Sequence, residues 1–243
     1  MRVTRVYVDA PLAAGSRVTL QGAAASHVTR VLRLRVGEAL TVFNGSGGEY
    51  AARIEQASGN KVAVAIGEGR AIERESPLTL TLAQGVSRGE RMDLVVQKAT
   101  ELGASGLLPV LAERSVVRLT AQQAERRLAH WRAIAIAACE QSGRNRLPAI
   151  AAPVPLEDFL RGNSDGSTRL LLSPAATSTL ADVPRLVTAV TVLIGPEGGL
   201  AEAEQQAAVA AGFTPVRLGP RVLRTETAAI AALTLLQREF GDL

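Results

Sequence analysis

Aromatic residues make up only 3% of this 243-residue chain. So small a supply argues against reading single strands with rows of stacked rings, and it leaves arginine as the means of any nucleic-acid contact. Cys139 is the only cysteine, which excludes a disulfide framework and a cysteine-based zinc cluster. In Ala135-Ile-Ala-Ala-Cys139, on an expected helix, it reads as a small core residue. No stretch reaches the roughly 18 consecutive apolar residues of a membrane span, and the amino terminus lacks a signal-peptide apolar block. The expectation is a soluble, cytoplasmic protein with no membrane partner and no metal. Lysine is nearly missing as well, with Lys61 and Lys98 alone among 27 basic residues. No acid stands between Asp9 and Glu38, a window that holds Arg17, His27, Arg30, Arg33 and Arg35. That window is a local electropositive patch, suited to a polyanion or simply to solvent.

What is present is the balance of a folded chain, 47% apolar and 21% charged. Residues 1–70 hold short strand-like runs at 2–8, 17–20, 39–43, 49–54 and 61–66, separated by Asn44-Gly45, Gly47-Gly48 and Ser58-Gly59-Asn60. Short strands joined by tight turns predict a small barrel. One helix is expected over residues 23–32, with Val28, Val31 and Leu32 on one face. Residues 67–76 read as a linker, rich in charge and glycine.

Residues 71–243 alternate between strand and helix periods. Strands are expected at 78–82, 107–111, 169–172, 187–194 and 213–218. Helices are expected after the capping box Ser87-Arg-Gly-Glu90, from Thr120-Ala-Gln-Gln123 onward, at 156–160, at 201–211 and at the carboxyl terminus. Such alternation predicts an α/β domain with a mostly parallel sheet covered on both faces.

Two loops carry candidate chemistry. Ile194-Gly-Pro-Glu-Gly-Gly-Leu200 follows an apolar strand and precedes Glu202 and Glu204, which suit a first helical turn. Glycines at a strand's carboxyl end let a ligand approach the backbone. The loop lacks the Lys and Ser or Thr of a phosphate loop and carries Glu197 instead, so a cationic or hydroxyl-rich ligand suits it better. Leu218-Gly-Pro-Arg-Val-Leu-Arg-Thr-Glu-Thr-Ala228 repeats the Gly-Pro break, with Thr225 a candidate helix cap and Glu226 in the first turn. Two such loops in one half can wall a single pocket.

Together these loops resemble the signature of the bacterial small-subunit (16S) ribosomal RNA uridine N3-methyltransferases of the SPOUT superfamily. The resemblance extends to Arg88-Gly-Glu-Arg-Met-Asp93, Gln97-Lys-Ala-Thr-Glu-Leu-Gly103, Glu113-Arg-Ser115, Ala137-Ala-Cys-Glu-Gln-Ser-Gly-Arg144 and His27-Val-Thr-Arg-Val-Leu-Arg-Leu-Arg-Val-Gly37, in order along nearly the whole chain. It implies a PUA-like RNA-binding β-barrel over 1–70 and a SPOUT domain over 71–243 with a deep trefoil knot, which the usual rule against threaded chains does not anticipate. It also implies a homodimer, S-adenosylmethionine as cofactor, and ribosomal RNA within an assembled particle as partner.

Carried over by position, the resemblance places the donor against Leu172, Ile194, Gly195, Pro196, Glu197, Gly198, Gly199, Leu218, Gly219, Leu223, Arg224, Thr225 and Thr227. Arg224 or Arg221 is expected to stabilise the uracil anion, and Glu226 or Glu101 to take its proton. His27, Arg30, Arg33, Arg35, Arg88, Lys98, Arg114 and Arg144 are expected to hold RNA. Two other readings remain: a SPOUT ribose 2′-O-methyltransferase, and a non-catalytic RNA-binding ribosome-assembly factor on the same fold.

Overall fold

A computed structural model describes residues 4–115, 119–162, 166–183 and 187–243; the first two residues of the expected opening strand lie outside them. The chain divides into two compact units, Met1–Glu75 with Cys139–Leu147, and Ser76–Ala138 with Pro148–Leu243.

In the first unit, β1 (Arg5–Tyr7), β2 (Arg17–Gln21), β3 (Ala39–Phe43), β4 (Glu49–Ser58) and β5 (Lys61–Arg70) form one sheet in the order β1-β3-β4-β5-β2. Only the β1–β3 pairing is parallel. β5 runs to Arg70, so the expected linker begins inside a strand. Alternate residues Val62, Val64 and Ile66 are buried with Val6, Leu40, Val42 and Ile54 to make the core.

The expected helix over 23–32 is interrupted. α1 (Gly22–Ser26) passes into a π-turn, His27–Val31, closed by the Leu32 amide donating to the His27 carbonyl at 2.9 Å. The wider turn changes the phase of the helix face. Val28 stays buried, while Val31 is 67% exposed instead of sharing that face.

A buried polar cluster closes this unit. Arg5 pairs with Glu49 and donates to Asn145 Oδ1 at 2.6 Å and to the Arg144 carbonyl at 3.1 Å. Burial opposes ionisation of Glu49, but Arg5, Asn145 and Arg74 outweigh it and hold its carboxyl below the ordinary range. Arg144 is itself buried and pairs with Glu75 at 2.5 Å. Its expected part in RNA binding is therefore corrected: a guanidinium held in a buried ion pair is not presented to a phosphate. Removing one partner of such a pair costs about 3–5 kcal/mol. Burial also pushes the Cys139 thiol up to about 11, so it stays protonated and acts as the small core residue the sequence suggests.

The second unit comprises β6 (Thr79–Gly85), α2 (Glu90–Glu101), β7 (Gly106–Leu111), α3 (Ala121–Ser142, to Ala138), β8 (Ala149–Ile150), β9 (Val154–Pro155), α4 (Leu156–Arg161), β10 (Thr168–Leu172), β11 (Ala189–Ile194), α5 (Glu202–Ala210), β12 (Thr214–Val216) and α6 (Thr225–Phe240). Its sheet runs β12-β10-β11-β6-β7-β8, with β9 also on β7, and every pairing is parallel. Successive strand residues enter opposite cores. Leu170, Val192, Ile194 and Leu82 pack with Met92, Trp131 and Leu233; Leu171, Leu193 and Ala83 pack with Leu156, Ala208 and Phe213. A sheet apolar on both faces needs helices on both, which explains the near-continuous hydrophobic strands. Full burial of each large aliphatic side chain contributes about 1.5–3 kcal/mol.

The expected helix start at Thr120 holds, and Thr120 and Gln123 exchange hydrogen bonds of 3.3 and 2.9 Å at the head of α3. At α2 the cap is Gly89, at φ 54°, without a side-chain cap bond, and Ser87 is buried with its hydroxyl 3.4 Å from the Gly85 carbonyl.

Candidate functional site

In a parallel sheet the loops leaving neighbouring strands emerge at one edge, where open α/β folds take their ligands. Here residues 195–199 leave β11, residues 173 and 174 leave β10, and residues 217–224 leave β12. All three segments line one cavity of about 610 Å³, a size that takes a small organic cofactor.

The glycines of the first loop answer to close backbone approach. A Cβ on Gly195 would lie 3.0 Å from the Leu200 amide nitrogen, and one on Gly198 would lie 3.0 Å from Arg114 Cβ. Gly199 has φ +68°, a region that disfavours a side chain, and its amide closes a turn onto the Pro196 carbonyl at 2.9 Å.

Glu197 turns to α2. Its carboxylate accepts from the Arg88 amide at 3.1 Å and from Arg91 Nη1 at 2.9 Å. Burial works against its charge, but the amides of Glu197 and Arg88 and the Arg91 guanidinium together hold its pKa below the ordinary 4.5. Glu197 thus braces the loop. Because the folded-state pKa is depressed, this brace is complete above the ordinary carboxylate range and is lost as pH falls through the lowered value. Glu197→Gln is expected to lower the melting temperature by about 1–3 °C, the scale of a partly exposed pair. Differential scanning calorimetry should find that deficit constant from about pH 8 to 5 and shrinking below.

Thr225 does not cap its own helix. The N-cap of α6 is Arg224, and the Thr225 hydroxyl donates to the Gly195 carbonyl at 2.8 Å. Glu226 follows in the first turn, lining the cavity, with its Oε2 wholly buried and without a hydrogen bond among the described residues. An acceptor so placed meets a ligand's N–H only once the side chain turns towards the cavity. Arg91, Arg114, Arg217, Arg221 and Arg224 line the same cavity against Glu197 and Glu226, five positive charges to two negative. Leu172, Leu218 and Leu223 supply its apolar wall.

Every sequence-predicted donor residue except Thr227 lines this cavity, as do Arg221 and Glu226. Thr227 is exposed in the first turn of α6 and is not part of the lining. Glu101 is corrected as a proton acceptor: it ends α2 in an ion pair with Lys98 at 2.9 Å, outside the lining. Lys98 is accordingly engaged with an acid. Of the other RNA candidates, Arg114 reaches the cavity, and its guanidinium lies 3.4 Å from the Gly198 carbonyl. Arg30, Arg33, Arg35 and Arg88 are exposed, and His27 Nε2 stands 3.8 Å from Glu140. Burial raises the Glu140 pKa above the usual range, against the Tyr7 amide and His27, which lower it.

Sequence reasoning missed Arg91, Ser173, Gln205, Arg217 and Val222. The Ser173-Pro174 break after a strand was a usable signal, as were the two quoted motifs that contain Arg91 and Val222; Gln205 and Arg217 carry no pattern in sequence. Among the described residues no group of three or more His, Cys, Asp or Glu is placed to hold a metal, and no helix is long and apolar enough to cross a membrane.

Comparison with known proteins shows the family. Residues 74–237 match the family model of the RNA methyltransferase domain, and residues 20–67 match that of the RNA methyltransferase PUA domain. The ribosomal RNA small subunit methyltransferase E of Buchnera aphidicola (from Schizaphis graminum) is 33% identical over 100% of this chain and 98% of its own length. A Neisseria gonorrhoeae ribosomal RNA small subunit methyltransferase E, solved bound to S-adenosyl methionine, is 38% identical with a TM-score of 0.92 over 100% of both chains. A Legionella pneumophila protein solved in complex with the cofactor SAM is 42% identical with a TM-score of 0.96, again over 100% of both. The chain belongs to the family of the ribosomal RNA small subunit methyltransferases E.

Proposed function

We propose that the protein transfers a methyl group from S-adenosylmethionine to N3 of a uridine in 16S ribosomal RNA. The observation that carries this reading is the convergence of residues 195–199 and 217–224 on one cavity that Glu226 also lines. The donor fits that cavity: the apolar wall of Leu172, Leu218 and Leu223 suits an adenine ring, and the loop backbone suits ribose and amino-acid groups. Bound there, S-adenosylmethionine supplies an electrophilic methyl group on a sulfonium.

The uridine edge that reacts is used in base pairing, so the base must be unpaired or flipped out. Glu226 takes the N3 proton, and the Arg224 guanidinium, with Arg221, holds the negative charge left on the imide oxygens. N3 then bonds to carbon while the carbon–sulfur bond breaks and its electron pair returns to sulfur. A ribose 2′-hydroxyl would leave no such imide anion for the arginines. Digestion of the product to nucleosides separates the readings: 3-methyluridine supports this one, and 2′-O-methyluridine overturns it.

The first 70 residues serve, on this reading, as the PUA-like RNA-binding module, with exposed Arg30, Arg33 and Arg35 on phosphates. RNA affinity is expected to fall with salt at a log–log slope of about −0.7 to −0.9 per phosphate contact, with donor affinity nearly flat. Filter binding and calorimetry across a salt series measure both. The deep trefoil knot belongs to the same reading, supported by the return of residues 217–224 to the β11 loop. Cytoplasmic location, the homodimer and the assembled particle as substrate rest on family likeness alone.

A further inference from the structure

Gln84 is fully buried at the end of β6, paired in register with Ile194 of β11. It does not line the cavity. Its register partners on the two neighbouring strands, Ile194 and Pro109, are apolar, and its Oε1 is buried without a partner among the described residues. An aliphatic side chain would fill the place without leaving an acceptor unpaired, so packing does not account for a glutamine here.

Its amide nitrogen has three acceptors: the Gly85 carbonyl at 3.1 Å, the Gly195 carbonyl at 3.5 Å and Thr225 Oγ1 at 2.9 Å. Carbonyls only accept, so this end of the amide must be the nitrogen, and Thr225 Oγ1 must receive its hydrogen bond. The Thr225 hydroxyl has one hydrogen, and it goes to the Gly195 carbonyl at 2.8 Å. The direction of the relay is therefore fixed: Gln84 to Thr225 to Gly195. It ties three chain segments far apart in sequence, the end of β6, the head of α6 and the first peptide of the glycine loop.

Gly85 makes room for the same junction. A Cβ there would lie 2.5 Å from Pro196 Cδ and 2.7 Å from the Gly195 carbonyl carbon. Pro196 has no amide hydrogen, so the 195–196 peptide can be oriented only through its carbonyl. That carbonyl is the one the relay holds.

We propose that Gln84 is a positioning residue, which sets the 195–196 peptide for the methyl donor through Thr225 without touching the donor itself. This rests on the reading that the cavity takes S-adenosylmethionine. The test is a double-mutant cycle in the full chain with Gln84→Met and Thr225→Val, which remove the hydrogen bonds at nearly constant volume. Donor Kd by calorimetry, donor KM, kcat and melting temperature are measured on all four proteins.

Each single variant is expected to raise donor Kd and KM about tenfold, with kcat at saturating donor within about twofold. The double variant is expected to be no worse than the poorer single. A fall in melting temperature with unchanged donor Kd, or losses that multiply in the double variant, overturns the relay. Should Gln84→Met not fold, Thr225→Val with wild-type donor KM overturns it alone. A wild-type protein that binds no S-adenosylmethionine would instead sink the underlying reading of the cavity.

Discussion

Replacing Arg224 by alanine is expected to lower methyl transfer by about 10²–10³-fold, the cost of removing one preorganised stabiliser of developing charge. Arg224 lines the cavity at the N-cap of α6, two residues before Glu226, which lines it too. The same turn is fastened to the glycine loop by Thr225, so the truncation should leave loop and helix in place. Donor affinity is therefore expected to change by less than about tenfold. Single-turnover transfer under saturating donor, with calorimetry alongside, separates the two quantities. Full activity in Arg224→Ala would remove this residue from the mechanism and leave Arg221 to carry the anion.

Glu226→Gln is expected to lower kcat by about 10²–10⁴-fold, the range for loss of a positioned general base. The glutamine amide keeps the shape and can still face an N–H, but it cannot accept the proton. Donor Kd should be nearly unchanged, because the role assigned to Glu226 is towards the base. The opposite split, a raised donor Kd with kcat preserved, would reassign the unpaired oxygen to the donor's ammonium group. Since Arg224 and Thr225 directly precede Glu226 at the head of α6, effects of paired substitutions here are not expected to multiply.

The alternation of strands and helices was legible because each element buries an apolar face at its own period, and the sheet of the second unit is buried on both. The two Gly-Pro loops were legible because glycine and proline mark places where the backbone departs from regular geometry. What was not legible depends on register and on partners distant in sequence. Gln84 lies two residues beyond the strand expected at 78–82; only its alignment with Ile194 in β6 puts it beside Gly195. Thr225 and Ser87 have the residue types and positions of helix caps, yet the Thr225 hydroxyl goes to Gly195 and the α2 cap is Gly89.

Charge misled in the same manner. Arg144 stands in a motif rich in polar residues, but Glu75 takes it into a buried pair. Glu101 and Lys98 satisfy each other on one face of α2. Glu197, the most conspicuous residue of the glycine loop, belongs to Arg91 and the Arg88 amide. The π-turn at His27–Val31 is a local geometry that no hydrophobic period announces, and Val31 is exposed at its end.

The account is tested most directly by incubating the protein with labelled S-adenosylmethionine and small ribosomal subunits that lack the modification, then mapping the 16S RNA by primer extension. N3 methylation blocks the pairing edge, so the account predicts incorporation of label and one new reverse-transcription stop at a uridine. Label without a stop would indicate methylation elsewhere on the nucleotide, and no label would contradict the assignment of methyl transfer to this cavity.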